Sequence, residues 1–145
     1  MINETTLPYH YQLRCLRRFL EREISDFPTW KCELTSRVVR RITGLELIGG
    51  HYLPVKEIPN EHVWNFDHDR RLHVCLTMNQ FDRITGLSTP DIIILPENND
   101  ALLVSQEMTW LLKSDQYGEE RTAEEYANKY LSPAQPSVVR AAFLR

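Results

Sequence analysis

Cys32 stands where a thiol could act as a nucleophile. The stretch Trp30-Lys31-Cys32-Glu33-Leu34-Thr35-Ser36 follows a turn-forming run, Asp26-Phe27-Pro28-Thr29, and reads as the first turn of a helix. Backbone N–H groups at a helix start are unpaired, and the helix dipole favours negative charge there. The thiolate is the reactive form of cysteine, so this position is expected to lower the thiol pKa. The opposing reading is a small hydrophobe packed under the helix, as most free cysteines are. A cysteine nucleophile also needs a base that takes its proton and returns it to the leaving group. Histidine serves because its pKa lies near neutrality, and it need not be close in sequence. His62 opens a β-forming stretch, Glu61-His62-Val63-Trp64-Asn65-Phe66, and is the candidate. His51 and His68 read as surface residues, and Glu33 as a complement to the helix dipole.

Several elements must bring these groups together. The Cys32 helix carries Leu34, Val38 and Ile42 on one stripe, with Asp26 or Thr29 as its cap and Gly44 as its left-handed stop. Before it, Tyr9, Leu13, Leu16, Leu20 and Ile24 make a helical pattern that Phe27-Pro28 ends. Arg14, Arg17, Arg18 and Arg22 read as its solvated face. After it, Leu45-Glu46-Leu47-Ile48 is a short strand, and Gly49-Gly50 a turn, bulge or close backbone approach before His51-Tyr52-Leu53. Pro54 to Asn60 is a loop. The His62 stretch and Arg71-Leu72-His73-Val74-Cys75-Leu76-Thr77 form a hairpin around the turn Asp67-His68-Asp69-Arg70. Alternation puts His62, Trp64 and Phe66 on one face of the first strand, and His73, Cys75 and Thr77 on one face of the second. Register decides whether those faces coincide.

Further on, Asn79-Gln80-Phe81-Asp82 leads into a loop, and Ile92-Ile93-Ile94-Leu95 reads as a buried strand. Ala101 to Lys113 reads as a helix, and Thr122-Ala123-Glu124-Glu125 as the capping-box start of another through Leu131. Residues 1–8 and 137–145 are expected to be loose arms, the latter with the option of a short helix. Helices, then strands with short connections, then helices imply one α+β domain over residues 1–145, built on a mostly antiparallel sheet.

Composition narrows the function classes. A chain of 145 residues with 42% hydrophobic residues can bury a sizeable core. A net charge of −3 argues against a broad nucleic-acid footprint. An odd count of 3 cysteines is not a disulfide framework and fits a reducing compartment. No apolar run has the length of a membrane span, and the N-terminus shows no signal-peptide pattern. The expected location is the cytoplasm, or outside the cell by a route without such a signal. No cofactor is called for.

Four ordered segments now combine: Cys32-Glu33-x-x-Ser36, Gly49-Gly50-His51-Tyr52, His62-Val63-Trp64-Asn65 and Leu76-Thr77-x-x-Gln80-Phe81. Together, over residues 28–82, they resemble the papain-like, transglutaminase-like thiol enzymes of bacteria. The resemblance implies a helix-start cysteine packed on a small antiparallel sheet. Cys32 would be the nucleophile, His62 the base, and the Cys32 N–H part of an oxyanion hole. Trp64 would pack beside the site. The aspartate of that family falls here on Cys75, a weak and normally neutral imidazole partner. Gln80, Asn79, Asp67 or His73 could take its place, Gln80 first, as a carbonyl accepting the imidazole N–H. The glutamine from which papain-type enzymes draw a side-chain oxyanion donor is absent shortly before Cys32.

The implied activity is that of a thiol hydrolase or acyltransferase acting on a peptide, a protein or a small amide or acyl substrate. A catalytically weak or inactive member of the same fold, serving as a binding module, is the main rival. A metal site from Cys32, His62, His73 and Cys75 is a third, though the spacing fits no closed zinc pattern.

Overall fold

The computed structural model describes residues 3–56 and 60–132. The expected C-terminal arm at 137–145 therefore lies outside the described residues, as does the start of the N-terminal one. The remainder of the N-terminal arm is not loose: Glu4–Thr6 forms a 3-10 turn and Leu7 packs on the core.

Helix α1, His10–Glu23, buries Leu13, Leu16, Phe19 and Leu20. Arg17 is buried with them, a correction to the solvated-face expectation. Its guanidinium lies over the Phe27 ring, 4.7 Å from the centroid, and donates to the Leu76 carbonyl and to Asn79 Oδ1 at 3.2 Å. A buried cation is tolerated where aligned acceptors replace its water. Helix α2, Cys32–Thr43, buries Leu34, Val38 and Val39 and stops at Gly44, whose φ of 80° suits glycine. No side chain caps its start, neither Asp26 nor Thr29. The chain enters instead through consecutive turns, with Thr29 N–H on Asp26 O at 2.8 Å and Lys31 N–H on Pro28 O at 3.1 Å.

The sheet has five strands in the order β4-β3-β2-β1-β5, every pairing antiparallel. They are β1 (Glu46–Tyr52), β2 (Glu61–Asp67), β3 (Leu72–Cys75), β4 (Ile93–Pro96) and β5 (Leu102–Val104). Strand β1 runs straight through Gly49-Gly50, and the reason for glycine is close approach. A Cβ on Gly50 would overlap the Leu103 carbonyl oxygen and lie 2.8 Å from the Trp64 ring. One on Gly49 would lie 3.1 Å from Met108 Cβ.

Three sequence expectations change here. Strand β4 is an edge, only Ile94 of it fully buried, rather than a buried strand. Residues 102–104 are strand, not helix, because β1 offers them a free edge to pair with, Gly50 opposite Val104. The helix α4, Gln106–Leu111, begins after them, where Ser105 Oγ accepts the Met108 N–H at 3.1 Å. Helix α5, Glu119–Leu131, starts before the expected Thr122 because Asp115 accepts the Glu119 and Glu120 N–H groups at 2.8 and 3.1 Å. Between β3 and β4, residues Met78–Phe81 form a 3-10 turn that continues into the short helix α3, Asp82–Thr85.

Apolar side chains cover both faces of the sheet. Leu72 and Val74 pack with α1, α2 and α5 around Leu16, Val38 and Tyr130. Ile48, Trp64, Phe66, Cys75, Met78 and Phe81 make the second cluster. The pairing of Phe66 with His73 settles the register question, and the His62 face and the Cys75 face coincide. Among the described residues no helix is long and apolar enough to cross a membrane, and the cysteines Cys15, Cys32 and Cys75 are all free.

Candidate active site

The start of α2, the start of β2 and the connection between α4 and α5 enclose a cleft of about 490 Å³. Cys32 and His62 both line it. Two side chains clasp α2 to β2 at this point. Ser36 Oγ donates to Val63 O at 3.1 Å, and Asn65 Nδ2 donates to Ser36 O at 2.9 Å. Val63 lies just before the β2–β3 ladder begins at Asn65, so its backbone groups are not taken by β3. Its carbonyl accepts Ser36, and its backbone favours the thiolate form of Cys32. Ser36 and Asn65, both in the resembling segments, thus hold the cysteine helix against the histidine strand.

His62 is 1% exposed, stacked on Trp64 at a centroid distance of 5.7 Å and edge-on to Phe81 at 5.1 Å. Its tautomer follows from one backbone donor. Trp30 N–H can only donate, and the atom it meets at 3.1 Å is Gln80 Oε1. The Gln80 NH2 is therefore the group that faces His62 Nδ1 at 3.4 Å and Thr77 Oγ1 at 3.4 Å. Nδ1 accepts, so the ring proton sits on Nε2, which donates to Cys75 Sγ at 3.0 Å. Thr77 N–H donates to the same sulfur at 3.4 Å. The carbonyl role expected of Gln80 is thus filled by Cys75, and Gln80 meets the ring with its amide nitrogen.

The charge state is set by burial. His62 has its pKa lowered to about 3, with desolvation the cause, so the ring is neutral near pH 7. Burial pushes the Cys75 thiol up to about 11, and it too is neutral. Cys32 is raised as well, because burial outweighs the hydrogen bonds from Val63, Gln80 and Glu33 that favour the thiolate. The direction is opposite to that expected at a helix start, and desolvation is its largest cause. Thiol and imidazole both rest neutral, the Nδ1 lone pair faces the Gln80 NH2, and among the described residues no direct hydrogen bond joins Cys32 to His62. Gln80 is the neighbour common to the His62 ring and the Cys32 thiol.

The other expected substitutes for the aspartate are engaged elsewhere. Asn79 bonds Arg17 and Asp91. Asp67 accepts from Tyr9 at 2.6 Å and from Arg70. His73 takes Trp64 Nε1–H on Nδ1 at 2.9 Å and gives Nε2–H to Glu97 O at 3.1 Å. That pairing also removes His73 from the metal reading, and among the described residues no three histidine, cysteine or carboxylate side chains form a metal-holding group. His51 is half-buried, with Nδ1 on Asn60 Oδ1 at 2.9 Å, and His68 is exposed beside Glu46.

Sequence reasoning missed Trp30. Its φ of 58° is unusual for a bulky residue and aims its N–H at Gln80. No local signal marks this, since the partner lies on a distant turn. Thr77 was visible within Thr77-x-x-Gln80, whose spacing on a 3-10 turn stacks the two side chains. Compared with protein families, with curated proteins and with solved structures, the chain has no match in any of the three.

Proposed function

We propose that the protein is a thiol hydrolase or acyltransferase of papain-like, transglutaminase-like arrangement, acting on an amide, peptide or acyl bond. Cys32 is the nucleophile and His62 the base. The observation that carries this reading is the His62 tautomer: Nε2–H is held by Cys75, and the Nδ1 lone pair is left toward Gln80, which also neighbours the Cys32 thiol.

Because the resting pair is neutral, the proton moves as the bond forms. Cys32 Sγ attacks the substrate carbonyl carbon while its proton passes to His62 Nδ1. Protonated Nδ1 no longer accepts from Gln80, so that amide N–H is released to the developing oxyanion beside the uncapped N–H groups of the α2 start. Collapse breaks the carbon–nitrogen bond, and His62 returns the proton to the leaving amine. Water or an acceptor nucleophile then attacks the thioester, its proton passing through His62 back to the Cys32 sulfur.

A second reading is a binding module with weak or no turnover, favoured by one observation. A neutral Cys75 gives the imidazolium no opposing charge. One experiment tests the first reading. Limiting iodoacetamide at neutral pH, read by peptide mass spectrometry, should modify Cys32 ahead of the buried Cys15 and Cys75. Its rate should keep climbing above the ordinary thiol range, because burial has raised the pKa. Faster labelling of either other cysteine removes Cys32 as the nucleophile.

A further inference from the structure

We propose that this cleft takes a positively charged substrate, one carrying a lysine- or arginine-like side chain beside the bond attacked by Cys32. The proposal rests on the thiol-enzyme reading for the reaction and on the cleft itself for the charge.

The ionisable groups lining the cleft, apart from Cys32, His62 and Tyr117, are Glu33, Arg37, Glu61 and Glu119. Arg37 is 2% exposed and already satisfied. It gives Nε to Glu33 at 3.0 Å, one terminal nitrogen to Glu120 at 2.9 Å and the other to Leu112 O at 2.7 Å. An anionic substrate would find no free guanidinium there. Glu33 is spent on Arg37, but Glu61 and Glu119 form no ion pair among the described residues. Lys31, whose charge acts on Glu119, forms none either. Burial and the neighbouring Glu33 raise the Glu119 pKa, a cost that a cation in the cleft would relieve.

The walls match the same class of ligand. Trp30 and Tyr117 line the cleft with 72% and 74% of their surfaces exposed. Exposed aromatic faces in a site receive a cation through their ring quadrupoles, Trp best of all. Met108 and Leu111 provide apolar surface for the methylene stem of a long basic side chain. Trp30 is fixed at this mouth by its N–H bond to Gln80, so the same residue that sets the tautomer presents the ring.

Charge-matched thiol reagents test the substrate class separately from the chemistry. Neutral methyl methanethiosulfonate reports the reactivity of Cys32. Its trimethylammonium-ethyl and sulfonatoethyl analogues report the field of the cleft. At low salt the cationic reagent should modify Cys32 at least about tenfold faster than the anionic one, normalised to the urea-unfolded chain. Glu61→Gln with Glu119→Gln should bring the ratio near that of the unfolded chain. As a readout independent of the thiol, Cys32→Ser should bind N-acetyl-arginine amide, seen by tryptophan fluorescence, and not N-acetyl-glutamate amide. Equal rates with both charged reagents and no arginine preference overturn the inference, while fast neutral labelling leaves the thiol reading standing. Arginine binding with a Cys32 inert to the neutral reagent supports the cationic ligand and ends the thiol reading instead.

Discussion

His62 Nε2 and Cys75 Sγ meet at 3.0 Å, a thiol standing where the resembled enzymes carry a carboxylate. The contact orients the ring but adds no charge, since Cys75 is neutral with its pKa near 11. Cys75→Asp restores the charge. The His62 pKa, now about 3, should rise measurably, as seen in the ring proton shifts by NMR across a pH titration. Removing the equivalent carboxylate from a serine-protease triad costs about 10⁴ in turnover, so any gain from adding one lies within that ceiling. An unchanged pKa would show that position 75 does not act on the ring.

His62 should also make the protein acid-sensitive. Its folded pKa lies below the unfolded value of 6.5, so the unfolded chain binds the extra proton. The stability from keeping the ring neutral is fully present above pH 6.5 and is lost as pH falls toward about 3. At the limit the slope is about 1.4 kcal/mol per pH unit. Thermal melts of wild type and His62→Asn between those limits should converge as pH drops. Parallel curves would mean that the buried ring is not the titrating group.

Gln80 is expected to matter through its amide nitrogen. Gln80→Ala removes the donor and the acceptor of Trp30 N–H together. Gln80→Glu keeps an acceptor for Trp30 but puts a carboxylate oxygen where the donor was. If Gln80 serves the oxyanion, both variants should lose about 10²–10³ in kcat. Full activity in Gln80→Glu would show that only the Trp30 contact is needed.

Gly50 tests the packing that frames the site. Its missing Cβ is where the Leu103 carbonyl and the Trp64 ring converge, and Trp64 in turn backs His62. Gly50→Ala should destabilise by about 1–3 kcal/mol, the range for forced overpacking, and lower the Tm accordingly. Because β5 is the element displaced, amide exchange should quicken first at Leu102–Val104. A wild-type melting temperature would mean that β5 can shift at no cost.

Much of the framework was determined by local sequence. The apolar steps of α1 and α2, the stop at Gly44 and the hairpin around Asp67–Arg70 all depend on neighbours in the chain. So does the shared face of Trp64 and Phe66, since alternation is a property of a single strand. Other features needed partners far along the chain. Leu102–Val104 became a strand because β1 had an open edge, not because of its own pattern, which reads equally as helix. Arg17 went inside because Leu76 O and the Phe27 ring received it. The orientation of Gln80 came from a single N–H at Trp30, and with it the tautomer of His62. The thiol pKa reversed its expected direction for the same kind of reason. A helix start is visible in sequence, but desolvation depends on everything packed around the sulfur, and only the assembled tertiary structure sets that.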